Sequence, residues 1–307
     1  MVFYLLMMKL KIIVLIIFCL LIAGVSVYKK SGSQKSLAEA FVSFISPHFS
    51  EINSSPEGLK KAIEKEIKGA NGKYGIVVKN LKTGESCFAN EHMKFEAASL
   101  YKLWVMATVF NQIQEGKLSK NEVLSREVEE LNRDFNIDSE VAELTEGTIT
   151  LSVEDALAKM ITISDNYAAL LLAKRIGLSI VQTFLKDNLL EESIIGEPPI
   201  TTAYDVALFF EKLYNGELAN QENTKLMLNL LKGQLLNHKL PKYLSEEVTV
   251  AHKTGELGIF SHDAGIVYGE KGDYIIAVLS ESDDRLAAEE QIAKISKSVY
   301  EYFEENR

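Results

Sequence analysis

Hydropathy divides the chain into three regimes. The first is Ile12–Tyr28, 17 residues without a charge, bracketed by Lys9 and Lys11 before it and Lys29 and Lys30 after it. That length is just enough to span a bilayer, and the stretch before Lys29 offers no clear small-x-small cleavage site. Residues 1–30 therefore read as a single-pass anchor, with a cleaved signal peptide as the alternative. So short a segment precedes the run that export of the C-terminal body is the simpler topology. The second regime, residues 31–54, begins polar and is interrupted by Pro47; it reads as a stalk.

The third regime, 55–307, has the patterning of a folded domain. Ser55-Pro56 is a helix-start signal, and Leu59, Ala62, Ile63 and Ile67 form an apolar stripe that ends at Gly69. Tyr74–Asn80 and Glu85–Ala89 read as two strands about a turn at Leu81-Lys82-Thr83-Gly84. In Phe95–Gln114 the residues from Ala98 onward are strong helix formers. Leu100, Leu103, Trp104, Val105, Met106, Val109, Phe110 and Ile113 leave that helix almost no polar face, the mark of a buried helix.

No strand is read between Lys117 and about Leu240. Residues 118–147 are polar and acidic. Ser152-Val153-Glu154-Asp155 is a capping signature that opens a helix to about Thr162. Further helices run from about Asp165 to Ile176 and from Thr202-Ala203-Tyr204-Asp205 to Tyr214. Strands return at Val248–Thr254, Ala264–Tyr268 and Tyr274–Leu279. Asp283 and Asp284 then open a closing helix with Ile292, Ile295, Val299 and Phe303 at helical spacing. Strands at both ends of a helical block predict an α+β fold. It has one five-stranded antiparallel sheet built from both chain ends, with an all-helical lobe, about 97–240, inserted between them.

Charge and cysteine content narrow the partners. The formal net charge is −10, and the four lysines within residues 1–30, unaccompanied by acids, leave −14 on the remainder. An acidic body argues against nucleic acid and shows no basic face for anionic lipid, so membrane association rests on the N-terminal segment. Cys19 and Cys87 are the two cysteines, one of them inside the apolar run, so the domain is held by packing rather than by an internal disulfide.

Candidate chemistry begins at Ser99-Leu100-Tyr101-Lys102. Serine and lysine three apart at a helix start lie on one side. An apolar setting favours the neutral amine of Lys102, which can take the proton of a serine hydroxyl as it attacks. A snorkelling lysine beside a capping serine is the plainer reading of the pair alone. Two more tripeptides change the picture: Ser164-Asp165-Asn166 between two helices, and Lys253-Thr254-Gly255 at the end of the first returning strand. Each alone is weak. Ser164-Asp165-Asn166 could simply cap a helix, and Lys82-Thr83-Gly84 repeats the third motif in a hairpin turn. Their order and context carry the signal.

S-x-x-K on a buried helix, then S-D-N, then K-T-G resembles the class A β-lactamase and penicillin-binding serine hydrolase superfamily over about residues 55–307. The stretches Met160–Ile163, Thr201-Thr202 and His262–Val267 are also similar to that family. The resemblance implies Ser99 as acylated nucleophile and Lys102 as its proton acceptor. It implies that Ser164 passes the proton to the leaving nitrogen, with Lys253 keeping that hydroxyl's surroundings positive. Asn166, Thr254, Gly255 and Glu256 would then bind substrate: Asn166 its side-chain amide, Thr254 its carboxylate. Backbone N–H groups of Ser99 and Glu256 would form the oxyanion hole.

The pattern breaks at one place. Class A enzymes carry E-x-x-L-N on the loop before the Thr-Thr helix, and its glutamate activates the water that hydrolyses the acyl-enzyme. Here only Lys186–Ile200 separates Leu185 from Thr201, without that motif; its glutamates are Glu191, Glu192 and Glu197. Glu197, ahead of Pro198-Pro199, is the candidate deacylation base. The implied substrates are β-lactams or D-alanyl peptides of the peptidoglycan stem, handled by a hydrolase. The alternatives are a D-alanyl-D-alanine peptidase or transpeptidase, and a non-enzymatic acylated sensor. There is no G-x-S-x-G elbow. The five histidines (His48, His92, His238, His252, His262) show no metal spacing, and no metal or cofactor is implied. His252, beside Lys253, reads as structural.

Overall fold

The computed structural model describes residues 56–305. The expected anchor (residues 1–30), the expected stalk (31–54) and Ser55 lie outside the described residues. Helix α1 (Glu57–Ile67) begins after Pro56, which occupies the capping position itself. Strands β1 (Lys73–Asn80) and β2 (Ser86–Ala89) pair antiparallel across the predicted turn. A two-residue strand β3 (Phe95–Glu96) and a 3-10 turn (Ala98–Leu100) lead into α2 (Tyr101–Gln114). The long predicted helix is thus a tight turn that widens into an α-helix after Leu100. From Lys102 to Phe110 every residue of α2 is buried, as the missing polar face required.

The inserted lobe contains β4 (Val123–Glu127), α3 (Val128–Asp134), β5 (Thr148–Ser152), α4 (Val153–Thr162), α5 (Asn166–Ile176), α6 (Leu178–Asp187), β6 (Ile200–Thr201), α7 (Ala203–Tyr214) and α8 (Gln221–Lys232). The expectation of no strand between Lys117 and Leu240 is therefore corrected. β4 pairs with β5, and β3 pairs with β6. Hydropathy missed these ladders for physical reasons. The β4–β5 ribbon lies on the surface: in β4 only Leu124 is buried, and the alternation of Thr148–Ser152 spans just five residues, none of them fully buried. The β3–β6 ladder is two residues long.

The chain then returns as β7 (Thr249–Leu257), β8 (Phe260–Tyr268) and β9 (Tyr274–Glu281), and closes with α9 (Arg285–Glu305). The sheet order is β2-β1-β9-β8-β7, so the chain ends meet at β1 and β9, and β7 forms an edge. Both faces are covered. Ile275, Ala277 and Leu279 join the core shared with the helical lobe. Ile276 and Val278, on the opposite face, pack with Leu59 and Ile63 of α1 and Ile292, Val299 and Phe303 of α9. This alternation places the helical lobe on one face and the terminal helices on the other. Each large side chain so buried contributes roughly 1.5–3 kcal/mol.

Beyond α1, four caps follow the sequence reading. Ser152, Asp165 and Thr202 each accept a hydrogen bond from the backbone N–H three residues on, and Asp284 does the same for Ala287. In the sheet, Gly265 of β8 faces His252 of β7 so closely that a Cβ there would strike the Ala251 carbonyl oxygen and the His252 backbone. Gly265→Ala is expected to lower stability by about 1–3 kcal/mol, the scale of overpacking. Urea unfolding at unchanged m-value checks this, and an unchanged midpoint contradicts it.

Candidate active site

The three motifs converge at one end of β7. Ser99 lies in the 3-10 turn, half-buried, and Lys102 one turn later is wholly buried. The Lys102 Nζ donates to the Ser164 carbonyl oxygen (2.6 Å), to Asn166 Oδ1 (2.6 Å) and to Ser164 Oγ (3.1 Å). From the opposite side, Lys253 Nζ donates to the same Ser164 hydroxyl at 3.0 Å and to the Thr254 carbonyl oxygen at 2.7 Å. One hydroxyl therefore bridges two buried lysines. A cavity of about 170 Å³ opens onto this group, lined by Ser99, Asn166, Glu256, Pro198 and Pro199 among others.

Burial sets the charge of both amines. Loss of hydration lowers the Lys102 pKa to about 8, against the opposing pull of Asp165 and then Glu143. Lys253 is pushed well below its ordinary value, by burial first and by the Lys102 charge second. An amine poised near 8 beside a serine can accept a proton close to neutral pH.

Two residues here carry backbone strain. Ala98 and Ser164 are non-glycine residues with φ of 43° and 58°. Such conformations cost about 1–3 kcal/mol each and persist only where the surroundings enforce them. Ala98 immediately precedes Ser99 in the 3-10 turn, and Ser164 is the residue whose hydroxyl meets both lysines. Gly255 explains the third residue of K-T-G. A Cβ there would stand 3.2 Å from the Ala97 carbonyl oxygen and 3.2 Å from Leu100 Cγ, so glycine lets β7 press against the nucleophile turn. His262, across the ladder from Gly255, donates from Nε2 to the Glu96 carbonyl oxygen (2.8 Å) and accepts the Ser280 N–H on Nδ1 (3.1 Å). Burial lowers its pKa to about 4, so it stays neutral and holds the segment ahead of Ser99. Thr254 is buried on β7 with Asp263 opposite it in the ladder.

The loop that departs from the family pattern is stitched to this turn. Ala97 N–H donates to the Pro199 carbonyl oxygen (2.7 Å), and β6 pairs with β3. Glu192 accepts from Thr202 Oγ1 (2.7 Å) and meets His92 Nδ1 (3.0 Å), a role in anchoring the loop. Glu191 is exposed. Glu197 is exposed too, and both its carboxylate oxygens accept from Asn136 Nδ2 at 3.0 Å. None of the three has a hydrogen bond to Ser99 or Lys102 among the described residues.

Sequence reasoning missed two site residues. Glu143 accepts from Asn166 Nδ2 at 2.5 Å, placing a carboxylate at the cavity through the amide that also binds Lys102. It sits in an aperiodic acidic stretch where nothing sets it apart from its neighbours. Lys239 is fully buried beneath Glu256, with Nζ 2.5 Å from Oε1; no motif surrounds it. Burial by itself would raise the Glu256 pKa, but Lys239 and then His238 and Arg285 outweigh it and keep the carboxylate below its ordinary range. His252 proves to be a buried partner of Asp263, with Nδ1 2.8 Å from Oδ1.

The matches to known proteins agree on one group. A family model described as the beta-lactamase enzyme family matches residues 58–303. The chain is similar to beta-lactamase VEB-1 of Pseudomonas aeruginosa, with 26% identity over 288 aligned positions covering 82% of this chain and 92% of that one. It is similar to the solved structure of PBP-A, with a TM-score of 0.72 and 26% identity, covering 81% of this chain and 96% of that one. A leucine-to-glutamate variant of PBP-A, solved as its acyl-enzyme with penicillin G, is 25% identical with a TM-score of 0.70, covering 81% of this chain and 96% of that one.

Because the Glu143 charge favours the charged form of Lys102, Glu143→Gln is expected to move the Lys102 titration further below about 8. The pH dependence of the Lys102 13Cε resonance reads this directly. An unmoved or raised midpoint contradicts the electrostatic assignment.

Proposed function

Since the chain belongs to the beta-lactamase enzyme family, we propose that it is a serine hydrolase-type acyl enzyme that opens β-lactams, or cleaves related D-alanyl peptides, through an ester on Ser99. The observation that carries this reading is the Ser164 hydroxyl held between the amines of Lys102 and Lys253, 3.1 and 3.0 Å away. Neutral Lys102 takes the Ser99 hydroxyl proton as Oγ attacks the carbonyl carbon. As the C–N bond breaks, Ser164 gives its proton to the leaving nitrogen and is reprotonated from the lysine pair. Asn166 holds the substrate amide, and Thr254, Gly255 and Glu256 line the edge along which it docks. Penicillin is a fitting probe because a 25% identical neighbour was solved with penicillin G as an acyl-enzyme.

Ester hydrolysis needs a held water and a base. The shortened loop lacks E-x-x-L-N, and its candidate, Glu197, is engaged with Asn136. We therefore propose that acylation outpaces deacylation and that the adduct accumulates. That kinetic order suits a peptidase or transpeptidase whose acceptor is an amine, and equally an acylated sensor.

Incubation with benzylpenicillin, followed by intact mass against time, tests both steps. A single adduct on Ser99 is expected. Ser99→Ala should abolish it, and Lys102→Ala should slow it by a factor of roughly 10²–10⁴, the usual contribution of a general base. Since only the neutral amine accepts a proton, the acylation rate should rise with pH through about 8. Undiminished labelling of Ser99→Ala overturns the assignment. Rapid turnover without detectable adduct overturns the slow second step, and trapping of the ester by Glu197→Ala would then identify that residue as the base. Release of the adduct by D-amino acids supports a transpeptidase, and indifference to them supports a sensor.

We further propose that Ile12–Tyr28 anchors the domain outside the cytoplasm; its support is the charge-free run between paired lysines. Membrane association of the full chain should resist alkaline carbonate and disappear on deletion of residues 1–54. Extraction of the full chain by carbonate contradicts the anchor.

A further inference from the structure

Glu256 is the residue that follows K-T-G on β7. The two-residue period of β7 puts Thr254 and Glu256 on one face, the edge along which a substrate's carboxylate is proposed to dock. Glu256 lines the cavity that also holds Ser99 and Asn166. Its carboxylate is already bound on three sides. Lys239 Nζ stands 2.5 Å and His238 Nε2 3.0 Å from Oε1, and Arg285 Nη1 lies 3.2 Å from Oε2.

Lys239 deepens the case. A fully buried ammonium is costly unless an anion is held against it. Its position is fixed from behind, because Asp263 Oδ2 accepts the N–H of Leu240 at 3.0 Å, and Ser261 Oγ lies 3.4 Å from Nζ. Arg285 is shared with Glu289, 3.2 Å away. Apart from His238, the cradle pairs the cations Lys239 and Arg285 with the anions Glu256 and Glu289 and carries no net charge. Removing the Glu256 charge leaves it at +1. His238, Glu256 and Glu289 do present ligand atoms within 4.8 Å of one another. Lys239 and Arg285 already supply the positive charge there, so the cluster is built for a carboxylate rather than a metal ion.

We propose that Glu256 is a specificity-determining residue: its own carboxylate fills the cationic cradle of Lys239, His238 and Arg285 that an incoming substrate carboxylate would use, so the site discriminates against substrates with a free anionic group at that end. This rests on the acyl-transfer reading of Ser99. A substrate carboxylate must displace Glu256 or bind beside it, against like charge; a substrate esterified or amidated there meets no such repulsion.

The test compares benzylpenicillin with its methyl ester on the full chain, with and without Glu256→Gln. The second-order acylation constants come from adduct mass against time. The acid-to-ester ratio is expected to rise tenfold or more in Glu256→Gln, and Lys239→Ala added to it should reverse the gain. A residue that only stabilised the strand would change both substrates alike and leave the ratio where it was. An unchanged or lowered ratio, with adducts still forming, overturns the role of Glu256 and leaves the reaction intact. If no adduct forms with either compound, the acyl-transfer reading falls. The dissociation constants of the same two compounds for Ser99→Ala, with and without Glu256→Gln, then decide Glu256 independently: a tenfold rise in preference for the acid supports it, and no change overturns it.

Discussion

The site depends on burying two lysines against a single hydroxyl. Lys102 and Lys253 both reach Ser164 Oγ, and among the described residues neither has a carboxylate in direct contact. Removing an ammonium from water costs several kcal/mol unless donors and fields replace its hydration. Replacement comes from carbonyl oxygens of Ser164 and Thr254, the amide oxygen of Asn166 and, at longer range, the charges of Asp165, Glu143 and Asp263. The arrangement lowers both amines toward neutrality without a permanent ion pair that would fix either one as a cation.

Three separate pieces of chain must meet within a few tenths of an ångström for this to work, and the fold supplies rigid supports for each. Lys102 projects from a helix buried through most of its length. Lys253 stands on a sheet covered on both faces. Ser164 is held on a turn between α4 and α5, in a conformation disfavoured for its residue type. The absence of a side chain at Gly255 has a direct cause, the close approach of β7 to Ala97 and Leu100 at the turn that carries Ser99. His262 is part of the same support, neutral and doubly bonded between the sheet and the segment before Ser99.

Around that centre the electrostatics are local. The body carries a large negative charge, yet cations gather at one edge of β7, where Lys239 and Arg285 face Glu256. A carboxylate held there is part of the cavity wall, so in the proposed reaction substrate selection and proton transfer would draw on neighbouring but distinct charges: Glu256 with Lys239 on one side, Lys102 with Lys253 on the other. Loop residues share the same division. Glu192 serves the anchoring of its loop through Thr202 and His92, while Pro198 and Pro199 form cavity wall.

The sequence by itself determined the fold class, the order along the chain of the strands of the main sheet and the three motifs that meet around Ser164. It could do so because these are local signals: short apolar runs bounded by turn residues in β1 and β9, the helix α2 with almost no polar face, the caps at Ser152, Asp165 and Thr202, and three motifs in a fixed order. The tertiary structure alone decided what the remaining charged residues do. Glu143 and Lys239 have no distinguishing neighbours in the chain, and their importance arises from contacts with Asn166 and Glu256, 23 and 17 positions away. Glu197 reads from the sequence as a candidate base, but a hydrogen bond to Asn136, 61 positions away, occupies its carboxylate. Periodicity records which face of an element is buried; it does not record which charges from distant segments are brought within a few ångströms, and in a low-dielectric site that proximity sets protonation and partner.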